Sequence, residues 1–336
     1  MLTALRTLPM FRSRLFVAGL VCGLVAVAVA LVAAGQPGAL DARAVYERAA
    51  PSVGVVRAVA DGRAGVGTAF VVDREGWLLT AAHVARRAQR LEVVLPGREP
   101  LPARLVGYDA RRDVAVLRVT PPAPLPALEI VIDAPRVGDP VVVIGTPRGR
   151  PGVMSTGVVA AVPVSLPGMA RDVLVRLTAR VAPGNSGGPV LNAAGGVVGL
   201  VIARTSEGGS PATDAGSLAT SGAALREALP GLRSGARIDR AWIGIAGGPL
   251  TPEMVRERSI GTTRGAWIRE VLPNSPAAVA GLRPNDVVVA ADRRTIASWD
   301  DLLWFVGERS PGQVVRLSIV RGGGRTEVTV RLGVRP

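Results

Sequence analysis

The chain of 336 residues contains one histidine, one cysteine and no lysine. Each absence removes a class of chemistry. One histidine and one cysteine cannot assemble a zinc cluster of the usual spacing. Without lysine there is no Gly-Lys for a phosphate-cradling Walker-A loop. A single cysteine, Cys22, excludes an internal disulfide, so the fold must be held by its cores alone, which a chain of this length can manage. Aromatic residues make up only 3%, against 48% hydrophobic residues overall, so those cores must be built from Val, Leu, Ile and Ala.

Acidic residues are also outnumbered, 26 to 40 basic, for a net charge of +14. The excess is spread rather than clustered. It is +3 before residue 37, +6 over residues 37–236 (22 Arg less 16 acids) and +5 over residues 237–336 (15 less 10). A basic stripe interleaved with aromatics is missing, so no nucleic acid is expected as a partner. General attraction to anionic surfaces follows from the charge itself. Exclusive use of arginine, with abundant Ala, Gly and Pro, reads as the codon bias of a GC-rich bacterial genome.

One long uncharged run stands out. Residues 15–34 are mostly apolar and follow Arg6, Arg12 and Arg14. As a helix, twenty residues cover about 30 Å, enough for a bilayer core. The run exceeds the roughly 7–15 residues of a signal-peptide core, which favours an uncleaved signal anchor; cleavage near Ala33-Ala34 is the other reading. Arginines ahead of the span hold the N-terminus in the cytoplasm. The expectation is a single-pass protein of the bacterial inner membrane, its bulk in the periplasm or outside the cell.

The stretch Pro183-Gly184-Asn185-Ser186-Gly187-Gly188-Pro189 is a glycine-rich turn holding one serine ahead of the strand-like Val190-Leu191. Small residues on both sides let the backbone take a strained loop in which the amides of Gly184 and Ser186 converge, forming an oxyanion hole. Taken alone, the same stretch reads equally well as a hairpin turn. Upstream, Gly65–Val72, the turn Asp73–Gly76 and Trp77–Thr80 read as a β-hairpin that delivers His83 at its end. Thirty residues further, Asp113 opens the apolar run Val114–Leu117. The order is His, Asp, Ser. A serine hydroxyl is a poor nucleophile until a neutral imidazole takes its proton, and a buried carboxylate fixes the imidazole tautomer and stabilises the imidazolium that forms.

These motifs, GTAFVVDREGWLLTAAHV, DARRDVAVLRV, VVVIGTPRG and PGNSGGPV in this order and at these separations, resemble the trypsin-like serine proteases of the HtrA (Deg) family over roughly residues 45–336. The resemblance implies a triad of His83, Asp113 and Ser186 and an oxyanion hole of Gly184 and Ser186. It implies no cofactor or metal. The fold to expect is mainly β: a trypsin-like double six-stranded β-barrel followed by an α+β PDZ domain, behind an N-terminal transmembrane helix. The family assembles as trimers through its protease domains, which makes Tyr46 a candidate contact.

Short apolar runs with turn signals between them support the barrels. They are Val53–Val59, Thr68–Val72, Trp77–Thr80, Leu91–Leu95, Ala103–Tyr108 and Val114–Val119. After the proline-rich segment 121–126 come Pro140–Gly145, Met154–Val162, Val173–Leu177, Pro189–Leu191 and Val197–Arg204. Residues 41–50 read as a helix, 223–230 as a closing helix and 231–236 as a linker. The domains expected are therefore a basic stub with the membrane span over 1–36, a protease domain over 37–236 and a PDZ domain over 237–336.

Three residues ahead of the nucleophile depart from the family pattern: Thr178, Arg180 and Ala182. Arg180 maps near the base of the S1 pocket, where it either selects an acidic residue or points to solvent. Val181 with Leu200, Val201 and Ile202 supplies apolar walls, so a small aliphatic P1 residue is expected. Further on, Trp242-Ile243-Gly244-Ile245 resembles the carboxylate-binding loop of a PDZ domain. Residues 275–288 resemble the helix, turn and strand that follow, with Asn285 where glycine is usual; Asn tolerates positive φ. Residues 300–306 read as the second PDZ helix, with a hairpin around Gly322–Gly324. The expected function is an exported serine endopeptidase of envelope quality control or stress signalling, acting on unfolded or membrane-protein substrates and binding peptide C-termini. The competing expectation is a peptide-binding scaffold or chaperone that cuts little.

Overall fold

Asp61-Gly62 adopts positive φ at both positions (49° and 72°), the two-residue turn whose twist suits a tight hairpin, and it pairs Ala60 with Arg63. From it run β1 (Val53–Ala60) and β2 (Arg63–Asp73), followed by β3 (Trp77–Thr80), β4 (Arg90–Val94), β5 (Leu101–Asp109) and β6 (Val114–Val119). Their order is β5-β4-β1-β2-β3-β6, and pairing of β5 with β6 closes the barrel. Val56, Val71, Leu78, Val93 and Leu117 fill it with no exposed surface.

The structure is a computed structural model that describes residues 40–204, 216–257 and 260–335. The apolar stretch 15–34 lies outside the described residues, among which no helix is long and apolar enough to cross a membrane.

A second closed barrel contains β7 (Pro140–Gly145), β8 (Val153–Val164), β9 (Leu174–Leu177), β10 (Pro189–Leu191), β11 (Val197–Arg204) and β12 (Ser217–Ser221). The sequence reading supplied five of these strands and missed β12. Ser217-Leu-Ala-Thr-Ser carries too few apolar residues to stand out, yet it pairs with β11 and β9 and closes the barrel. Aromatics are scarce inside, as composition required. Phe70 and Phe305 are the only ones among the largest fully buried side chains of the described residues.

The helix Gly222–Arg233 starts on Ser221, whose hydroxyl accepts from the Ala224 amide. It runs through Pro230, where a helix stop was expected. Buried Leu232 anchors its last turn, and the amides of Ser234, Gly235 and Ala236 take up its final carbonyls. The expected linker over 231–236 is thus folded. It leads directly into β13 (Arg237–Ile238), which adds in parallel to β5.

Beyond it, β14 (Ala241–Trp242) pairs with β21 (Gly333–Val334). A second sheet runs β15 (Ile245–Pro249), β16 (Ala266–Val271), β17 (Val287–Ala291), β19 (Val314–Arg321) and β20 (Gly324–Arg331), with β18 (Arg294–Thr295) against β17. The helix Trp299–Gly307 closes its core through Leu302 and Phe305 and begins in a capping box of Ser298 and Asp301. Asn285 has φ +74°. Buried Asp286 fixes the turn it follows through paired hydrogen bonds of 2.7 Å from Arg321. This lobe rests on the second barrel where Gly307 meets Gly168 so closely that a Cβ on Gly307 would lie 2.8 Å from the Gly168 Cα. There Arg171 donates to Glu308 at 2.7 and 3.0 Å and covers the Trp304 ring at 4.2 Å.

Candidate active site

Asp113 sits in a left-handed conformation (φ 56°) at the start of β6. The turn before it is set by fully buried Asp109, whose Oδ1 accepts from the amides of Arg111 and Arg112 and whose Oδ2 pairs with Arg112 at 2.8 Å. Thr220 of β12 donates its hydroxyl to the Arg112 carbonyl, so the second barrel steadies the carboxylate of the first. Asp113 then holds His83 twice. Its Oδ1 accepts from the His83 backbone amide at 2.9 Å and its Oδ2 lies 2.7 Å from Nδ1. A carboxylate at this distance accepts from Nδ1–H, the arrangement in which Nε2 is the basic nitrogen of a neutral imidazole.

The nucleophile loop is braced by residues that the sequence reading quoted without assigning a role. The Thr68 amide donates to the Ser186 carbonyl at 2.8 Å. The buried Thr68 hydroxyl donates to the Gly184 carbonyl at 2.7 Å and accepts from the Thr146 amide at 2.9 Å. The Thr146 hydroxyl reaches the Gly67 carbonyl at 2.9 Å. The signal for both was small polar residues next to glycine in GTAF and IGTP, and only the fold shows them meeting. Gly187 (φ 90°) passes so close to β2 that a Cβ would lie 2.1 Å from the Thr68 carbonyl. Gly184 has φ +103°, and the Pro183 carbonyl accepts from the Arg148 amide at 2.9 Å. Neither the Gly184 nor the Ser186 amide donates to another group among the described residues.

One cavity of about 600 Å³ is lined by His83, Ser186, Gly184, Val181, Val201 and Ile202, and also by Ala58, Ala60 and residues 63–66 of the β1–β2 hairpin. Of the triad residues expected from sequence, His83 and Ser186 line this cavity and Asp113 reaches it through its hydrogen bonds to His83; three of the five pocket residues line it too. Arg180 and Leu200 are not part of this lining. Arg180 is exposed, in keeping with the solvent-facing alternative, and Leu200 is wholly buried in the barrel. Side chains alternate along a strand, and a bulge between Val201 and Ala203 brings Ile202 to the cleft beside Val201. Chemically, the cavity offers a serine hydroxyl, an imidazole paired to a carboxylate and two backbone amides that donate to no other group among the described residues.

Around the expected carboxylate loop, Ile243 is buried and Gly244 has φ +84°. A Cβ on Gly244 would lie 2.1 Å from that of Ser275, so only glycine fits. The carbonyls of Ile243 and Gly244 accept from the amides of Ala277 and Leu272. Ile245 opens β15, and the Trp299 indole lies against Gly247 on the same strand.

The two lobes match known domains. Residues 67–200 match the trypsin-like peptidase domain and residues 243–332 match the PDZ domain. The class is thus a trypsin-like peptidase carrying one PDZ domain. Among curated proteins, the chain is 33% identical over 272 residues to a probable periplasmic serine endoprotease DegP-like of Hahella chejuensis and 32% identical over 275 residues to that of Pseudomonas fulva. These alignments take in 80% and 81% of this chain but 57% and 56% of the relatives, so the chain spans little more than half their length. Among solved structures, the HtrA-type protease AlgW with decapeptide superposes with a TM-score of 0.60 at 27% identity, covering 88% of this chain and 99% of that one. The chain belongs to the HtrA (DegP-like) family.

Proposed function

We propose that the protein is an exported serine endopeptidase acting by acyl-enzyme catalysis. The observation that carries this reading is His83, paired with Asp113 at 2.7 Å, lining one cavity with Ser186 and Gly184, whose amides donate to no other group among the described residues. His83 Nε2 takes the Ser186 proton as Oγ attacks the substrate carbonyl, and Asp113 stabilises the imidazolium. The amides of Gly184 and Ser186 receive the oxyanion. His83 then returns the proton to the leaving amine, and water, activated the same way, releases the acyl group. Val181, Val201 and Ile202 favour a small aliphatic P1 side chain.

In this reading residues 37–236 form the catalytic domain and residues 237–336 a domain that binds peptide C-termini through Trp242, Ile243, Gly244 and Ile245. The substrates are unfolded or membrane proteins of the cell envelope. The periplasmic naming of the relatives supports an exported enzyme, and the run at 15–34 supports an anchor in the inner membrane. Assembly as a homotrimer is part of the proposal. The Tyr46 hydroxyl, a candidate trimer contact, donates to the Gly152 carbonyl of its own chain at 2.8 Å.

The test is proteolysis of casein and of envelope extracts by residues 37–336, compared with Ser186→Ala and with the cut sites read by mass spectrometry. Loss of the nucleophile should lower kcat by at least about 10⁴-fold. Equal activity in the two proteins would end the protease reading.

A further inference from the structure

Beside the catalytic cleft lies a second cavity of about 400 Å³ that shares His83 and Ile202 with it and is otherwise lined by Ala82, Ala110 and four charged residues, Asp113, Arg86, Arg240 and Arg335. Its charge balance is unusual. The one carboxylate is already occupied, since Asp113 accepts from the His83 backbone at one oxygen and from the His83 ring at the other. Against it stand three guanidinium groups. Arg86 is held by the Arg335 carbonyl at 3.0 Å and only loosely by Asp239 at 3.5 Å. Arg240 commits its Nε–H to the Ala110 carbonyl, and among the described residues neither it nor Arg335 forms an ion pair. Arg240 is half-buried, and loss of hydration pulls its pKa below the ordinary arginine value despite the pull of Asp113 and Asp109 in the other direction. Arg335 is exposed; a half-buried guanidinium such as Arg240 that has no ion-pair partner carries a desolvation cost, which an incoming anion offsets.

The position of the cavity says which anion. A substrate strand places successive side chains on opposite faces. With the P1 side chain toward Val181 and Val201, the preceding residue, P2, turns toward His83 and into the arginine-lined cavity. We propose that this cavity is an acidic-residue subsite, in which Arg240 and Arg335 bind the carboxylate of Asp or Glu at P2. The proposal rests on the protease reading of the cleft. Both arginines come from the segments flanking the PDZ lobe, Arg240 just before β14 and Arg335 just after β21, and the Arg335 amide donates to the Arg240 carbonyl at 3.0 Å. The subsite is thus completed only where these two segments lie against the first barrel, as Arg86 and Ala110 hold them here.

The experiment uses two fluorogenic peptides, alike except for Glu or Gln at P2, with valine at P1. They are compared by kcat/KM on the wild-type chain and by anisotropy-measured Kd on Ser186→Ala. One charge-assisted hydrogen bond corresponds to a Glu over Gln preference of about tenfold or more, and this should appear in both readouts and shrink with added salt. In Arg240→Gln/Arg335→Gln the ratio should fall to near one, and because it is taken within one protein, a general loss of activity does not affect it. A wild-type ratio near one, or a preference that survives the double substitution, overturns the subsite while leaving the protease reading intact. Inhibition of both peptides alike by inorganic phosphate, with no Glu preference, would mark a free-anion site instead and overturn it too. If the wild type cuts neither peptide, the protease reading fails, and the Kd ratio still decides the subsite.

Discussion

Thr68→Val tests whether the barrel-to-barrel hydrogen bonds hold the nucleophile loop in working shape. Valine replaces the hydroxyl by a methyl of nearly equal size at a site with no exposed surface, so packing is kept and only polar contacts are lost. Two partners are stranded: the Gly184 carbonyl, which had a 2.7 Å bond, and the Thr146 amide, which had one of 2.9 Å. Each buried group left unpaired costs about 1–3 kcal/mol. The Thr146 hydroxyl, already 3.4 Å from the Gly184 carbonyl, recovers part of one, which leaves a loss of about 2–4 kcal/mol. For a unit of this size that corresponds to a fall in Tm of roughly 5–12 °C. In the proposed mechanism Gly184 carries one of the oxyanion donors, and displacement of such a group by about 1 Å costs on the order of 10²-fold in rate. The expected kinetic result is a 10- to 100-fold drop in kcat, estimated from the same displacement, with KM nearly unchanged. Thr68→Ser, which keeps the hydroxyl, should recover most of both losses. Differential scanning calorimetry and steady-state kinetics on a short reporter peptide supply the readouts. If Thr68→Val melted and turned over like the wild type, the braced-loop argument would be refuted.

Two further outcomes follow from the PDZ lobe. Arg321→Ala leaves the carboxylate of Asp286, 1% exposed, with only the Arg283 amide as a partner; partial exposure of Arg321 moderates the effect to about 2–3 kcal/mol, measurable as a shift of the urea midpoint, and an unchanged midpoint would contradict it. The hydrogen bond from Arg171 chiefly holds the Glu308 carboxyl below its usual pKa, against a smaller opposing effect of desolvation. A depressed folded-state value means that this contact contributes fully above the ordinary carboxylate pKa of about 4.3 and is lost as pH falls through the lower, folded-state value. Because Cys22 is the only cysteine, residues 37–336 accept two engineered labels, and energy transfer between the lobes should decline over that acidic window in the wild type. Glu308→Gln should show weaker transfer at neutral pH and no such decline; identical curves would remove this contact from the docking of the lobes.

Much of this molecule was legible from short windows of sequence because short windows determined it. The apolar runs that become β3, β6 and β7 and the positive φ of Asn285 depend on residues within a turn or a strand of one another, where backbone sterics and local composition act alone. The His83, Asp113 and Ser186 motifs were legible for the same reason, each being a local loop with its own glycine or strand signal. Tertiary structure decided what depends on register, closure and face. β12 forms because β9 and β11 each need a partner to close the barrel, although its own residues argue weakly for a strand. Leu200 turns into the barrel and Ile202, also buried, lines the cleft because of a bulge that no composition announces, and Arg180 faces solvent. Thr68 and Thr146 lie 78 positions apart and become one hydrogen-bonded unit, 2.9 Å between hydroxyls, only when the two barrels meet. Likewise, 240 and 335 are arbitrary arginines in a chain that uses no lysine until the two segments flanking the PDZ lobe fold back against the first barrel beside His83. That return path is long-range geometry, and sequence order alone does not encode the distance it closes.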